Sequence, residues 1–323
     1  MSAKRGLLTR AAEHGFNAPP LPAARAAAGP RTAVRAAWIA IAALGLADIA
    51  WARHDGIIFV HAEIYVAGVL LLLSAAGAWR LQRAGAGFAR ITEAMAQFLA
   101  FLPVSASLSY LCATIAGPLQ DARFVALDRA LGFDWAQWAA AVAPAPGLPL
   151  LLALAYVSYI PHFTLAIGYY AAIGRSERCA ELLWLLIIAL LPTMAGFIAL
   201  PVAGPWVHYD VAAELDSFPV TFFAALRADN VHVIDLLQVD GIVGFPSFHA
   251  VYAVLLTYIH RGYRRLFLVA LAVNAMMLLS LPVPGGHYLA DIIAGLAVAG
   301  VAIAVWSLLR RRWRERPPYP SLP

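Results

Sequence analysis

The chain has 323 residues, 62% of them hydrophobic and only 13% charged, and a mean hydropathy of +0.75, which is more apolar side chain than a single soluble core hides. That composition excludes a soluble globular enzyme and points to a polytopic membrane protein. The formal charge of +5 calls for no nucleic-acid partner, because the basic residues are distributed as a topology signal.

Apolar stretches near the ~20 residues that cross the hydrocarbon fall at about 33–52, 57–79, 92–116, 150–173, 182–203, 245–260, 266–283 and 287–309, and the sixth is the shortest. The prediction is therefore an all-α membrane protein of about eight transmembrane helices. Residues 1–32 form an N-terminal tail, rich in Ala, Pro and Arg and without a signal-peptide stretch. Residues 33–91 form two accessory spans, 92–309 a six-helix bundle and 310–323 a basic, Pro-rich tail. With the N-terminus inside, all but Arg53, Arg123, Arg129 and Arg227 of the 23 Lys and Arg fall on the cytoplasmic side, which fits an even number of spans. Both termini are thus expected in the cytoplasm. Cys112, within the third span, and Cys179, in a cytoplasmic loop, are too far apart to pair.

Two outer connections are long, about 117–149 and 204–244, and long loops in compact folds tend to carry function. The first holds Asp121, Arg123, Asp128, Arg129 and Asp134 with Trp135 and Trp138, a pattern suited to a helix lying along the interface. Tryptophans 51, 135, 138 and 206 read as interfacial belt residues. The second connection runs from Gly204-Pro205 through His208, Tyr209, Arg227 and His232 to the most telling motif, Gly-Phe-Pro-Ser-Phe-His-Ala, which contains Ser247 and His249.

The last span opens with Pro-Gly-Gly-His-Tyr-Leu-Ala-Asp, placing His287 four residues before Asp291. His249 and His287 both stand where an apolar run begins on the outer side, and helix N-termini offer unpaired amides and partial positive charge to an anion such as phosphate. Pro246 suits a first helical turn and Ser247 supplies a further hydrogen bond. At i, i+4 spacing Asp291 stacks beneath His287, fixing its tautomer and leaving the other ring nitrogen as nucleophile or base. Gly285 and Gly286 allow a tight turn and close approach of a ligand. An Asp within a span costs about 2.5 to 3.5 kcal/mol on insertion scales, so a function is expected for it. Two histidines and a carboxylate also suit zinc, and the spacing alone leaves that open.

Pro-Ser-Phe-His, then Ser280, five residues from 282 to 286, His287, three more and Asp291 resemble two signature motifs of the type 2 phosphatidic acid phosphatase superfamily, Pro-Ser-x-His and Ser-Arg-x5-His-x3-Asp. The forms Phe-Pro-Ser-Phe-His-Ala and Gly-Gly-His-Tyr-x-x-Asp-x-x-x-Gly are similar to the branch containing inositol phosphorylceramide synthases. The likeness is good over 196–300 and poor over the first 110 residues. It implies that His287 attacks phosphorus to form a phosphohistidine, that Asp291 orients it and that His249 protonates the leaving oxygen. It implies no metal and no cofactor, and a lipid phosphate substrate; the split of basic residues puts the site on the outer face, and the Ala-rich, Arg-over-Lys composition points to a bacterial inner membrane.

Two departures stand out. Leu281 occupies the position of the phosphate-binding Arg, and the first motif, Lys-x6-Arg-Pro, is absent, with Gly204-Pro205 in its place. Phosphate charge then has to be met by Arg227, Arg123 or Arg129, with Ser247 and Gly286 as further substrate contacts. Asp128 is a candidate to hold a polar alcohol acceptor or take its proton; His208, Tyr209 and His232 are weaker candidates. Hydrolysis, transfer to an alcohol and non-catalytic lipid carriage all fit the sequence.

Overall fold

The computed structural model describes residues 29–82, 85–115, 117–211, 218–238 and 240–315. The N-terminal tail to residue 28 and the last eight residues lie outside the described residues. The fold is almost wholly helical. α1 (Gly29–His54), β1 (Ile58–Val60), α2 (Ala62–Arg80) and α3 (Ala86–Ala113) come first, and α4 (Asp121–Ala130) and α5 (Trp135–Val142) fill the first long connection. α6 (Leu148–Val157), α7 (Tyr159–Ala172) and α8 (Ser176–Ala199) follow. The second connection carries α9 (Pro205–His208), α10 (Phe218–Arg227) and β2 (Val233–Asp235), and the chain ends in α11 (Phe248–Tyr258), α12 (Arg264–Ser280) and α13 (Leu289–Glu315).

Among the described residues six segments are long and apolar enough to cross a membrane: Thr32–His54, Ala62–Arg80, Ala86–Ala113, Leu148–Ala172, Ser176–Ala199 and Leu289–Arg311. The fourth joins α6 and α7 across a turn at Ser158. The other two expected spans form helices too, but shorter ones, α11 with 11 residues and α12 with 17.

α8 is the axial helix. Leu182, Leu183, Leu185, Leu186, Ala189 and Leu190 are all buried, and the helix packs against α1, α3, α7, α11 and α13. A helix apolar all round belongs at the centre of a bundle. Outer helices reverse the soluble pattern: Leu71 on α2, Leu165 on α7 and Val269 on α12 are exposed at 71%, 71% and 63%, the surface that lipid would cover.

The bundle's two ends differ chemically. At one end the buried carboxylate of Glu181 accepts hydrogen bonds from Arg261 (2.5 and 2.6 Å) and Trp306 (3.0 Å), with Arg178 at 3.4 Å and Arg310 at 3.8 Å. These arginines are among those predicted to face the cytoplasm, and the fold gathers them at one end. Cys179 is not in a loop as expected; it sits in the first turn of α8, where its buried thiol donates to the Ile167 carbonyl. Both cysteines are free.

The opposite end is built from the two long connections. There β1 and β2 form a two-stranded parallel ladder, Ile58 opposite Val233 and Val60 opposite Asp235, that ties the link between α1 and α2 to the second connection.

Candidate active site

α11 and α13 bring the two histidine motifs together. The contact is close because Gly295 faces Ser247: a Cβ on Gly295 would lie 2.3 Å from the Ser247 carbonyl oxygen and 2.8 Å from Ala250 Cβ. The Ser247 amide donates to the Asp291 carbonyl at 3.1 Å. Ser247 is the N-cap of α11, with extended backbone and a side-chain oxygen that accepts from the Ala250 amide. Pro246 therefore lies one residue before the cap and not in the first helical turn as expected, and it packs on Gly196 of α8.

The buried His287 ring is held between two motifs. Its Nε2 lies 3.1 Å from Ser247 Oγ, and its Nδ1 lies 3.5 Å from Asp291 Oδ2. With Ser247 Oγ already accepting from Ala250, its hydroxyl proton is free to point at Nε2. That arrangement leaves Nδ1 as the protonated nitrogen facing the carboxylate. At 3.5 Å the His287 and Asp291 side chains are an ion-pair distance apart and not a closed hydrogen bond. His287 is not helical; α13 starts two residues later, and the motif's i, i+4 pairing is made from the loop. Asp291 Oδ2 accepts from the Tyr288 amide at 2.8 Å, capping the helix that carries it. His249 stands on the other side, its ring centroid 6.3 Å from that of His287. Its ring stacks on Tyr156 (4.4 Å) and meets the edge of Tyr159 (5.0 Å), both from the broken α6–α7 span.

Beside His287 opens a cleft of about 410 Å3, its mouth included, walled by Val202 to Gly204, Trp206, Phe223, Gly241 to Gly244 and Gly285 to His287. Five of these wall residues are glycines, and at four of them, Gly204, Gly244, Gly285 and Gly286, a Cβ would come within 3 Å of a neighbour. Gly286 has φ +60 and lies under the Trp206 ring, and a Cβ on Gly204 (φ +91) would meet the Gly286 carbonyl at 2.8 Å. His249 adjoins the cleft from behind Gly241, whose Cβ would lie 3.9 Å from His249 Cε1.

The other predicted site residues are placed differently. Asp128 accepts from the Leu289 amide (2.8 Å) and the Ala290 amide (2.9 Å), so both its oxygens hold the start of α13 and neither is turned to an acceptor alcohol. Burial raises its pKa and those two amides oppose the rise. Arg227 donates to the backbone carbonyls of Gly117 and Ile115 and lies over the ring of Phe223, a residue of the cleft wall. Arg123 and Arg129 are exposed on the outer face of α4 and do not line the cleft. Leu281 is fully buried against Met277 and Ile292, so the position of the missing Arg is part of the core here.

Several residues of the site did not announce themselves. Asp121 accepts from the Ala203 and Gly204 amides and from the Tyr288 hydroxyl, at 3.1, 2.8 and 2.9 Å. Its spacing from Phe124, Val125 and Asp128, all buried, is the signal that a helical reading of that loop carries. Trp135 and Trp206, expected as belt residues, donate instead to the carbonyls of Pro282 and Val283, clamping the loop that delivers His287. Tyr156 contacts His249, and a Cβ on Gly285 would come within 2.9 Å of its ring. Among the described residues no group of three or more His, Cys, Asp and Glu is placed to hold a metal ion.

Fold and site together define a helical membrane protein with a buried histidine pair at one end of its bundle. The sequence model of the PAP2 superfamily matches residues 122–305, more than half the chain, and the chain belongs to that superfamily. No curated protein and no solved structure matches it.

Proposed function

We propose that the protein is a membrane phosphatase or phosphotransferase acting on a lipid phosphate through a phosphohistidine on His287. Superfamily membership supports phosphatase-type chemistry. The observation that carries the mechanism is His287 itself, lining the cleft with Nε2 on Ser247 and Nδ1 toward Asp291. In the first step Nε2 attacks phosphorus and the ester P–O bond breaks, with His249 giving a proton to the leaving oxygen. In the second, water attacks phosphorus, His249 takes the proton back and the P–N bond breaks, releasing phosphate. Asp291 stabilises the positive charge that the ring carries in between.

Electrostatic stabilisation dominates phosphoryl transfer, so positive charge has to be near the cleft. We assign that part to Arg227, which reaches the wall through Phe223, together with the close glycine backbone. Lipid tails would remain in the bilayer while the headgroup enters the cleft from the face opposite the Glu181 cluster, the outer face of a bacterial inner membrane. A second reading, transfer to an alcohol such as inositol, rests on the motif forms shared with the synthase branch.

Purified wild type incubated with 32P-labelled phosphatidic acid should release phosphate and, on quench in alkaline detergent, yield a protein phosphate that survives base and is lost in acid. His287→Ala should lose both, with turnover down by about 10^4 to 10^6. Undiminished turnover in that variant sinks the nucleophile assignment. A wild type that binds labelled lipid without turnover, with or without inositol, supports a carrier instead.

A further inference from the structure

The family match begins at residue 122, so α1, β1, α2 and α3 lie outside it. These elements are nevertheless bonded to the segment that becomes the cleft wall. β2 pairs with β1 in register, and the Ile58 amide donates to His232 and the Leu236 amide to Val60, at 2.8 and 3.2 Å. His61, at the start of α2, lies with Nδ1 2.7 Å from Asp235 Oδ1, which also accepts from the Leu237 amide at 2.9 Å. Tyr65 donates its hydroxyl to the Leu236 carbonyl at 2.9 Å. Tyr110, fully buried on α3, donates to the Asp240 carbonyl (3.0 Å) and accepts from the Asp240 amide (2.9 Å).

The next residue is Gly241, first of the four that wall the cleft and the one that lies against His249. Between Asp240 and Ser247 the chain has no regular structure of its own, so its course depends on where its ends are tied. Ser247 ties one end to α13. His61, Tyr65 and Tyr110 tie the other. His61 adopts φ +64, a left-handed conformation that an L side chain takes only when its surroundings fix it.

We propose that His61, Tyr65 and Tyr110 are positioning residues for the reaction: β1, α2 and α3 together are a strut that sets the Gly241 to Gly244 wall and, through Gly241, the seat of His249. None of the three lines the cleft. The inference deepens the function proposed above, and its first readout does not depend on that function.

The test uses the full-length protein in detergent. Hydrogen exchange of the peptide covering residues 236 to 244 should be about tenfold faster in Tyr110→Phe, which loses both bonds to Asp240. His61→Ala should speed it about two- to fivefold, the smaller effect of a half-exposed pair. His61→Asn should restore wild-type exchange, because its amide can stand in for Nδ1 and Asn tolerates positive φ. On phosphatidic acid in mixed micelles, Tyr110→Phe and His61→Ala should raise KM and lower kcat by the same factors, because the wall and His249 shift together, and His61→Asn should change neither. A purely structural role would lower the thermal midpoint and leave KM and exchange at 236 to 244 unmoved in the folded fraction. That result overturns the strut. If the wild type turns over no lipid phosphate, the functional reading fails while exchange still decides the strut.

Discussion

At the scale of single residues, the site separates into groups whose meaning is local and groups whose meaning comes from packing. Ser247, His249, His287 and Asp291 are legible in the sequence because the spacing within each motif brings a ring nitrogen, a cap and a carboxylate together. Asp121 and Asp128 are not, since an acid in a long loop looks the same whether it meets water or backbone amides. Asp128 was expected to serve an acceptor alcohol, and the structure gives both its oxygens to the Leu289 and Ala290 amides. Asp128→Ala should therefore cost about 2 to 4 kcal/mol of stability, from two charge-assisted bonds at a helix start. It should lower the thermal midpoint in detergent without changing the ratio of transfer to hydrolysis. An unchanged midpoint with a shifted ratio would return Asp128 to the acceptor role.

At the scale of elements, the helices were readable from apolar runs, whereas their ends and contacts were not. The sequence places His287 at the head of the last helix, but α13 begins at Leu289, because two glycines and two tryptophan clamps hold the preceding loop in its own shape. Gly295 closes the motif in the sequence, and its reason appears only in the packing of α13 on α11. Gly295→Ala would force the Ser247 carbonyl away and should lower kcat/KM by about 10^2, the scale of a misplaced catalytic group. Wild-type kinetics in that variant would mean the helices shift without moving the histidines. The β1–β2 tie makes a prediction of its own. His61 has its pKa raised by the hydrogen bond to Asp235, with Glu63 adding to the rise, and Asp235 has its own lowered by His61 and the Leu237 amide. The raised group stabilises fully below its ordinary value of 6.5 and loses that contribution as pH climbs through its folded value. The lowered one stabilises above 3.8 and loses it as pH falls. The thermal-midpoint difference between wild type and His61→Ala should thus be greatest between those two values and shrink at alkaline pH. A difference that keeps growing above pH 6.5 would contradict the pair.

At the scale of the whole molecule, α13 measures the bundle. Nineteen residues separate Asp291, beside His287, from Arg310, beside Glu181, or about 28 Å at 1.5 Å per residue, close to the ~30 Å of a hydrocarbon core. The basic cluster and the histidine pair are therefore a membrane's thickness apart. α11 is short, yet it connects the same two ends because turns at His260 to Tyr263 complete its passage. The charge asymmetry read from the sequence then becomes a statement about access: if arginines stay on the cytoplasmic side, the cleft opens outward. Ser217, a natural place to probe the outer face, lies outside the described residues, and exposed Ala122 on α4 serves instead. In intact cells a cysteine replacing Ala122 should react with a membrane-impermeant maleimide, and one replacing exposed Arg264 should react only after the membrane is opened. Both native thiols are buried and should stay silent. Labelling of Arg264→Cys from outside, with Ala122→Cys protected, would put the cleft in the cytoplasm and make an inner-leaflet lipid phosphate its substrate.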